Sequence, residues 1–338
     1  MQQHINEIIK IALMTFGAFL VAMVWTPLLT NFLYKYKVAQ QIRDKSWDNT
    51  DVPVYKKFHE HKAGTPTMGG LLIWVTAAVL TVIFNFDRNQ TWLPLFVLVT
   101  TGILGAVDDI LNMKGKGTIK GLGAKPKFFW LILFSAVGAW WFFYKLGFDI
   151  LHIPGVGDFH IGLWYIPFFM IVVIGTANAV NITDGLDGLA GGLLAIAFAA
   201  FGTIAFFQGQ FGLAAFCGAI IGGLVTFLWF NINPARFFMG DTGAFALGST
   251  LAVVALLTDS ALVLLVVGLL FVIEACSSLI QIFSKKVFKR KIFISAPLHH
   301  HLQAKGWTEP KIVMRFWLLG AILAVMGTVI GIIGGGVR

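Results

Sequence analysis

The sequence predicts an all-α polytopic membrane protein, and three observations lead to that fold class. Hydrophobic residues make up 57% of the 338 residues, and charged residues only 12%. The mean hydropathy is +0.82, far outside the range of soluble proteins. The apolar residues also collect in runs of about 20, the length that a helix needs to cross a bilayer.

We expect a single transmembrane domain over residues 1–338, with about ten membrane-spanning helices and no soluble domain. The first apolar run follows Lys10 and is too long for the core of a signal peptide, so we assign it to the first helix. The third and eighth runs are short, which places the charges at their ends near the membrane surface. The predicted spans are 8–34, 68–86, 93–107, 128–146, 164–180, 189–207, 211–230, 243–257, 261–283 and 312–333.

Lysine and arginine collect on one side of this arrangement. The loops 35–67, 108–127, 231–241 and 284–311 carry 7, 5, 1 and 7 of them, which is 20 of the 25 in the chain. The loop 181–188 falls on the same side and carries none. Because cytoplasmic loops are enriched in Lys and Arg, we expect these five loops in the cytoplasm and both termini outside. This distribution explains the net charge of +9 without a nucleic-acid partner.

A short β-hairpin is predicted on the opposite, periplasmic side. Residues 149–162 alternate apolar and polar side chains around residues 154–157 (PGVG), a pattern typical of two strands joined by a turn. Both cysteines, Cys217 and Cys276, fall inside apolar runs, so we expect free thiols and no disulfide framework.

The most unusual polar segment is 178–188 (NAVNITDGLDG), which separates two long apolar runs. A charged side chain at membrane depth costs at least a few kcal/mol unless it is paired. Asp184 and Asp187 are three residues apart and therefore share one face of a helical turn. A tight turn with Asn and Asp caps would explain Asn181 and one aspartate, but not the whole cluster. The segment therefore indicates a ligand site.

Three further aspartates lie at the cytoplasmic ends of two predicted spans. Asp108 and Asp109 close the third span, and adjacent side chains on a helix point about 100° apart, so the two cannot act at one point. Asp241 lies between glycines at the start of the eighth span. A solvated helix end is the plain alternative for the pair, and an N-cap, which is compatible with a ligand role, is the alternative for Asp241. Such carboxylates also suit Mg²⁺, which takes one or two of them together with waters and phosphate oxygens.

The last cytoplasmic loop adds three consecutive histidines, His299, His300 and His301. On a helix they would fan outward, whereas in a loop one or two of them would converge on a phosphate. A polar loop at the membrane interface is the plain alternative. A polar helical face within the ninth span comprises Glu274, Ser277, Ser278 and Gln281.

Together these motifs resemble those of the phospho-N-acetylmuramoyl-pentapeptide transferases, within the polyprenyl-phosphate N-acetylhexosamine-1-phosphate transferase superfamily. The resemblance covers nearly the whole chain. It is carried by residues 64–70 (GTPTMGG), 108–109 (DD), 178–188, 238–241 (FMGD), 296–301 (APLHHH), 305–307 (KGW) and 312–317 (IVMRFW).

The resemblance implies an enzyme of the bacterial inner membrane with a cytoplasmic-face active site, a Mg²⁺ cofactor and a homodimer embedded in lipid. The implied reaction transfers phospho-MurNAc-pentapeptide from UDP-MurNAc-pentapeptide to undecaprenyl phosphate and gives lipid I and UMP. The implied catalytic residues are Asp108, Asp109, Asp241 and His299, with the metal ligands drawn from the three aspartates. The implied substrate-binding residues are Lys62, Thr67, Asn178, Asn181, Asp184, Asp187, Asn231, Phe238, Gly240, Gln281, His300 and His301, of which Lys62, Asp187 and Phe238 would line the uracil pocket.

The chain departs from the family pattern in three places. The loop 43–53 is longer than usual, Asn112 stands where a lysine is frequent, and Gln303 stands where a glutamate is frequent. Two other functions stay open. A polyprenyl-phosphate GlcNAc-1-phosphate transferase shares the carboxylates but not the last cytoplasmic loop. An ion-coupled transporter would need charges near mid-bilayer, where Glu274 alone qualifies.

Overall fold

The computed structural model describes residues 2–36, 62, 64–87, 90–114 and 123–334. These residues form twelve α-helices, one 3₁₀ turn (Gly162–Trp164) and one two-stranded sheet. The helices are α1 (Gln2–Lys35), α2 (Leu71–Phe84), α3 (Trp92–Lys114), α4 (Ala124–Leu146), α5 (Tyr165–Thr183), α6 (Leu189–Phe207), α7 (Phe211–Asn231), α8 (Gly240–Leu257), α9 (Val263–Val267), α10 (Leu269–Val287), α11 (Leu298–Ala304) and α12 (Glu309–Ile333). The strands are β1 (Ile150–Ile153) and β2 (Gly157–His160). The long loop 43–53 lies outside the described residues.

Helix α8 is the centre of the bundle. Every residue from Thr242 to Leu257 is buried, as expected for a helix that is apolar on all sides. It packs against α3 and α5. The approach of α3 depends on Gly105, where a Cβ atom would lie 2.2 Å from the carbonyl oxygen of Asp241. Gly248 allows the same approach to α5, because a Cβ atom there would lie 2.8 Å from the Cα of Ala177.

The outer helices carry apolar side chains on the surface of the bundle. In α12, Leu318, Val325 and Ile333 are 67%, 65% and 81% exposed, and Val24 and Leu28 of α1 are exposed to a similar extent. Soluble proteins rarely show continuous apolar surfaces of this size, whereas hydrocarbon accepts them. The chain is therefore a multi-pass membrane protein, as the composition predicts.

Eight helices in the described part of the chain are long and apolar enough to cross a membrane: α1, α3 to α8, and α12. They correspond to eight of the ten predicted spans. The second predicted span is the shorter apolar helix α2. The ninth is divided between α9 and α10 at Gly268. The count of ten stays a prediction, because these two segments differ in length and continuity from the other eight.

Helix α10 has its polar side inside the bundle and its apolar side outside. Leu279 and Phe283 on the outer side are exposed. The polar face predicted from the sequence is thus directed inward, toward the neighbouring helix α5. Its buried polar residues are Glu274, Ser277, Gln281 and Ser284.

The predicted β-hairpin is present. Strands β1 and β2 pair antiparallel, with Ile150 opposite His160 and Ile153 opposite Gly157. The ring of His152 contacts the Asp158 carboxylate and the backbone carbonyl of Gly334, which joins the hairpin to the end of α12. The two cysteines are free thiols, as predicted.

The contact between α3 and α8 leads to a stability prediction. We expect Gly105→Ala to lower the melting temperature in detergent, since the added methyl group overlaps the backbone of α8 and overpacking costs about 1–3 kcal/mol. Gly17→Ala in α1 is the matched control, because a Cβ atom there meets nothing within 4 Å. A melting temperature of Gly105→Ala equal to that of the control would contradict the packing described here.

Candidate active site

The polar clusters meet at one end of the bundle, around the first turn of α8. The segment that precedes α2 pairs with the segment that precedes α8 through backbone hydrogen bonds. The N–H of Phe238 donates to the carbonyl of Pro66 (2.7 Å), and the N–H of Gly69 donates to the carbonyl of Phe238 (2.7 Å). The N–H of Gly70 donates to the carbonyl of Met239 (2.9 Å). Two motifs that are distant in the sequence are thereby held side by side.

One lysine joins two of the predicted aspartates. Nζ of Lys127, on α4, lies 2.6 Å from a carboxylate oxygen of Asp108 and 2.6 Å from one of Asp241. The amide of Asn112 also donates to Asp108 (2.7 Å), and the amide of Asn181 donates to Asp241 (2.7 Å). Buried carboxylates need such partners, because an unpaired charge away from water is costly. The carboxylate of Asp241 thus faces Lys127 and Asn181, and it does not cap its own helix.

Asp109 has a different task from its neighbour Asp108. Its buried carboxylate accepts the backbone N–H groups of Thr242 (3.0 Å) and Asp241 (3.3 Å). The first N–H groups of a helix have no partner within that helix, and a negative charge there also interacts favourably with the helix dipole. Asp109 therefore fixes the first turn of α8. The adjacent aspartates have different partners, as their 100° separation predicts.

Of the two asparagines near the end of α5, one contacts the site and the other contacts its own helix. Asn181 reaches Asp241, whereas the amide of Asn178 donates to the carbonyl of Ile174 on its own helix (2.8 Å). Asp184 directly follows α5 and accepts the N–H of Gly240. Burial and the negative charge of Asp241 raise the pKa of Asp184 to about 7, although the bond from Gly240 opposes this shift.

Gly240 is required by both conformation and space. Its φ of +75° lies in the left-handed region that favours glycine. A Cβ atom would lie 2.5 Å from Oγ1 of Thr67 and 2.7 Å from a carboxylate oxygen of Asp109. The predicted residues Thr67, Asp109 and Asp184 thus surround this glycine closely.

A second ionic cluster lies beside the first and contains Lys62, Asp187 and Glu309. Nζ of Lys62 lies 2.6 Å from a carboxylate oxygen of each acid, and all three side chains are buried. The other carboxylate oxygen of Asp187 accepts the amide of Asn233 (2.9 Å) and the N–H of Ala235 (3.1 Å). One lysine thus faces two carboxylates, and neutral donors complete the set, including the backbone N–H of Asp187, which donates to Glu309 (2.6 Å). Nζ of Lys62 also lies 5.8 Å from the centre of the half-buried ring of Phe238.

The side-chain amides of two predicted residues form hydrogen bonds with the backbone of adjoining loops. Asn231 accepts the N–H of Gly188 (2.8 Å) and donates to the carbonyl of Phe237 (2.8 Å). Gln281 accepts the N–H groups of Ile292 and Phe293 (3.0 Å each) and donates to the carbonyl of Phe293 (2.9 Å). In this structure both amides hold segments that border the site.

The three histidines lie on the short helix α11 and fan outward. The fully buried His299 contacts Glu274, with 3.0 Å between Nδ1 and a carboxylate oxygen. Nδ1 of His300 lies 2.8 Å from the amide oxygen of Gln303. Nδ1 of His301 accepts the N–H of Ile294 (3.2 Å), and burial together with Lys305 lowers the pKa of this histidine. Asn112 and Gln303, the two described departures from the family pattern, each contact a predicted site residue.

Sequence reasoning missed Lys127 and Glu309 as members of the site. Lys127 counted only as one of the basic residues of a cytoplasmic loop. Glu309 precedes a proline at the start of α12, which is an ordinary helix beginning. The sequence therefore did not indicate that Glu309 pairs with Lys62.

The position between Asp108 and Asp241 is suited to a cation, since two carboxylates hold the ammonium of Lys127 there. In the described part of the chain, no three His, Cys, Asp or Glu side chains form a metal-binding group. Mg²⁺ usually takes only one or two carboxylates, with waters and phosphate oxygens as its other ligands. Asp241 and Asp108 therefore fit Mg²⁺ as a pair, and Asp109 supports Asp241 through its backbone.

Comparison with known proteins identifies close similarities. The profile described as Glycosyl transferase family 4 matches residues 91–259, and the one described as phospho-N-acetylmuramoyl-pentapeptide-transferase signature 1 matches residues 62–73. A protein named phospho-N-acetylmuramoyl-pentapeptide-transferase from Levilactobacillus brevis is 39% identical over 94% of this chain and 97% of its own. Proteins of the same name from Geobacillus thermodenitrificans and Listeria welshimeri are each 40% identical, over 95% and 91% of this chain and 97% and 94% of theirs.

The raised pKa of Asp184 predicts how stability depends on pH. The folded protein favours the protonated form up to about pH 7, whereas the unfolded chain ionises near the ordinary value of 3.8. The stabilising contribution is therefore present below pH 3.8 and is lost as pH rises through 7. In buffer without divalent cations, we expect Asp184→Asn to raise the melting temperature above that of the wild type, most at pH 7 and higher.

Asp149, which directly precedes β1 and is half-buried, provides a control for this change. Its carboxylate lies 3.6 Å from Nδ1 of the exposed His160, and exposed pairs contribute little to stability. Asp149→Asn removes the same charge at a distant position, and it should leave the pH dependence unchanged. If Asp184→Asn and the wild type lost stability in parallel between pH 4 and 7, the raised pKa would not apply to Asp184.

Proposed function

The chain belongs to the phospho-N-acetylmuramoyl-pentapeptide-transferase family, and we propose that the carboxylate cluster at the start of α8 carries the transfer reaction. The enzyme transfers phospho-MurNAc-pentapeptide from UDP-MurNAc-pentapeptide to undecaprenyl phosphate, giving lipid I and UMP in peptidoglycan synthesis. The observation that carries the assignment is the group of Asp108, Lys127 and Asp241, in which two carboxylates hold a cation beside Asn181.

Charge compensation is the main task of such a site. The lipid phosphate is a monoester with a second pKa near 6, so at neutral pH it is mostly a dianion and needs little help from a base. It must approach a pyrophosphate that is also negative. Mg²⁺ bound at Asp241, with Asp108 as the second carboxylate, would neutralise charge on the pyrophosphate and stabilise the leaving UMP.

The remaining groups of the site orient the reacting partners. Asp109 holds Asp241 through the first turn of α8, and the amide of Asn181 fixes one of the Asp241 oxygens. The ammonium of Lys127 would turn from the carboxylates to a phosphate oxygen once another cation neutralises Asp108 and Asp241. Each of these contacts positions a group without changing a covalent bond in the protein.

We assign the uracil ring to the cluster around Phe238. Aromatic stacking of a base contributes about 1–3 kcal/mol but barely distinguishes one base from another. Discrimination must therefore come from Asp187, which accepts, and Lys62, which donates. Uracil offers an N3–H between two carbonyl groups, whereas cytosine has no N3–H and would place an acceptor against the carboxylate. Asn233 and Ala235 hold Asp187 in place for this contact.

We place the site on the cytoplasmic side and both termini outside, because 20 of the 25 Lys and Arg residues fall in the loops on the side of the site. The β-hairpin then lies in the periplasm. Two loop positions that would test this most directly, Lys57 and Asn89, lie outside the described residues. The homodimer stays a prediction from the family resemblance.

The catalytic prediction concerns Asp241→Asn, which removes the charge and keeps the size. Purified protein would be incubated with radiolabelled UDP-MurNAc-pentapeptide, undecaprenyl phosphate and Mg²⁺, and lipid-soluble product would be measured. We expect turnover to fall at least ~10³-fold, on the scale of several kcal/mol of charge stabilisation by a metal. Asp149→Asn should retain wild-type turnover. Near-normal Mg²⁺-dependent activity of Asp241→Asn would exclude the metal-ligand role.

The nucleotide prediction is that UMP inhibits the wild type well and CMP poorly, because an unmatched hydrogen-bonding group in a desolvated site discriminates strongly. Phe238→Ala should weaken inhibition by UMP, while Phe283→Ala, on the outer side of α10, should leave it unchanged. Asp187→Asn should narrow the difference between UMP and CMP. Equal inhibition of the wild type by both nucleotides would show that the uracil pocket is wrongly assigned.

The orientation prediction uses single cysteines introduced into a variant in which Cys217 and Cys276 are replaced by alanine. In intact cells, a membrane-impermeant maleimide should label Val156→Cys in the hairpin and leave Lys289→Cys unlabelled until the cells are opened. Both positions are exposed. Labelling of position 289 from outside would reverse the proposed orientation.

A further inference from the structure

Glu274 is a fully buried carboxylate in the second turn of α10, and no role in the reaction has been assigned to it so far. Burying a carboxylate costs several kcal/mol even after the protein relaxes, unless it is paired with good geometry. Both of its described side-chain contacts are with His299. The backbone N–H of His299 donates to Glu274 (3.1 Å), and Nδ1 of the imidazole lies 3.0 Å from the other carboxylate oxygen.

These two contacts determine the orientation of the ring. An ionised carboxylate only accepts hydrogen bonds, so the proton at this contact belongs to Nδ1 of His299. The backbone contact fixes the start of α11, and the ring contact then fixes the rotation of the side chain. Nε2 is thereby directed away from Glu274.

Nε2 of His299 is buried and has no hydrogen-bond partner in the described part of the chain. Leaving a buried polar atom unsatisfied destabilises the fold, so such an atom in a native protein requires an explanation. Its nearest surroundings include Gly185, where a Cβ atom would lie 2.3 Å from Nε2. Gly185 lies between Asp184 and Asp187, in the loop that borders both ionic clusters of the site.

We propose that Glu274 is a positioning residue that holds the Nδ1 proton of His299 and presents Nε2 to a phosphate oxygen of the substrates. This inference rests on the proposed function. On a ring that carries both protons, Nδ1–H donates to Glu274 and Nε2–H donates to the anion, because an imidazolium offers two donors. Because Gly185 covers Nε2, the loop 184–188 must move aside when substrate enters, and the absence of a side chain at Gly185 allows the close approach.

If the role of Glu274 were purely structural, it would only attach α11 to α10 by accepting the backbone N–H of His299. Glu274→Gln separates the two roles. The amide oxygen of glutamine still accepts the backbone N–H of His299, while its NH₂ group faces Nδ1 and donates to it. The proton then moves to Nε2, Nδ1 becomes an acceptor, and the imidazole loses its negative partner.

The kinetic experiment compares Glu274→Gln, Glu274→Asp and Ser277→Ala in the radiolabel assay. Ser277 lies on the same buried face, and its hydroxyl donates only to the carbonyl of Glu274 among its described contacts, so Ser277→Ala is the control for losing a buried polar group there. We expect Glu274→Gln to lower kcat roughly 10²-fold with little change in KM for UDP-MurNAc-pentapeptide. Glu274→Asp should recover part of kcat because it keeps the charge, and Ser277→Ala should retain wild-type kcat.

Two outcomes would overturn the proposal. One is a folded Glu274→Gln protein with the kcat of the wild type. The other would come from an NMR spectrum of the wild type labelled with ¹⁵N-histidine. The signal of His299 is assigned as the one that is lost in His299→Asn. We expect the chemical shift of a protonated Nδ1. An unprotonated Nδ1 would contradict the role of Glu274 even if Glu274→Gln fails to fold.

The failure of this inference differs from the failure of the proposed function. If the proposed function were wrong, the wild type would give no lipid-soluble product. If only the role of Glu274 were wrong, the wild type would be active, and Glu274→Gln would match it in kcat.

Discussion

The amide groups at the start of α8 are satisfied by a carboxylate from another helix, and the site depends on that bond. A helix that is buried from Thr242 to Leu257 cannot leave its first N–H groups without partners, since little water reaches them. Asp109 supplies the acceptor, and Gly105 one turn earlier lets α3 approach closely enough to deliver it. The direction of Asp241 follows from this contact, and so do its distances to Lys127 and Asn181.

Much of this arrangement could be predicted from the sequence, because it depends on local patterns. Apolar runs located eight of the membrane helices, and the alternation of apolar and polar residues located the hairpin. The helical period predicted that Asp108 and Asp109 have different partners. The partners of the charged residues could not be predicted in this way. Lys127 looked like any basic loop residue and Glu309 like any helix start, since pairing across the fold leaves no mark in the local sequence.

Helix α10 shows how a membrane protein keeps polar groups without exposing them. Its outer side is apolar, while Glu274, Ser277 and Gln281 point into the bundle, where each finds a partner. The sequence predicts the polar face but not its use. Glu274 contacts His299, and Gln281 binds the backbone of Ile292 and Phe293. One face of this helix thus holds the last loop of the site at two points.

The pairing of Lys62 with Glu309 has a consequence for how the protein is made. The two residues are separated by 247 positions, and Asp187 lies 125 positions after Lys62. At ~5–20 residues per second, a ribosome needs about 12–50 s to extend the chain from the lysine to Glu309. During that time Nζ of Lys62 has at most one of its two carboxylate acceptors, and the backbone N–H of Asp187 lacks the Glu309 oxygen that accepts it. A chain truncated before α12 would leave both donors short of an acceptor, so the loop that follows α5 would be held less firmly than in the complete fold.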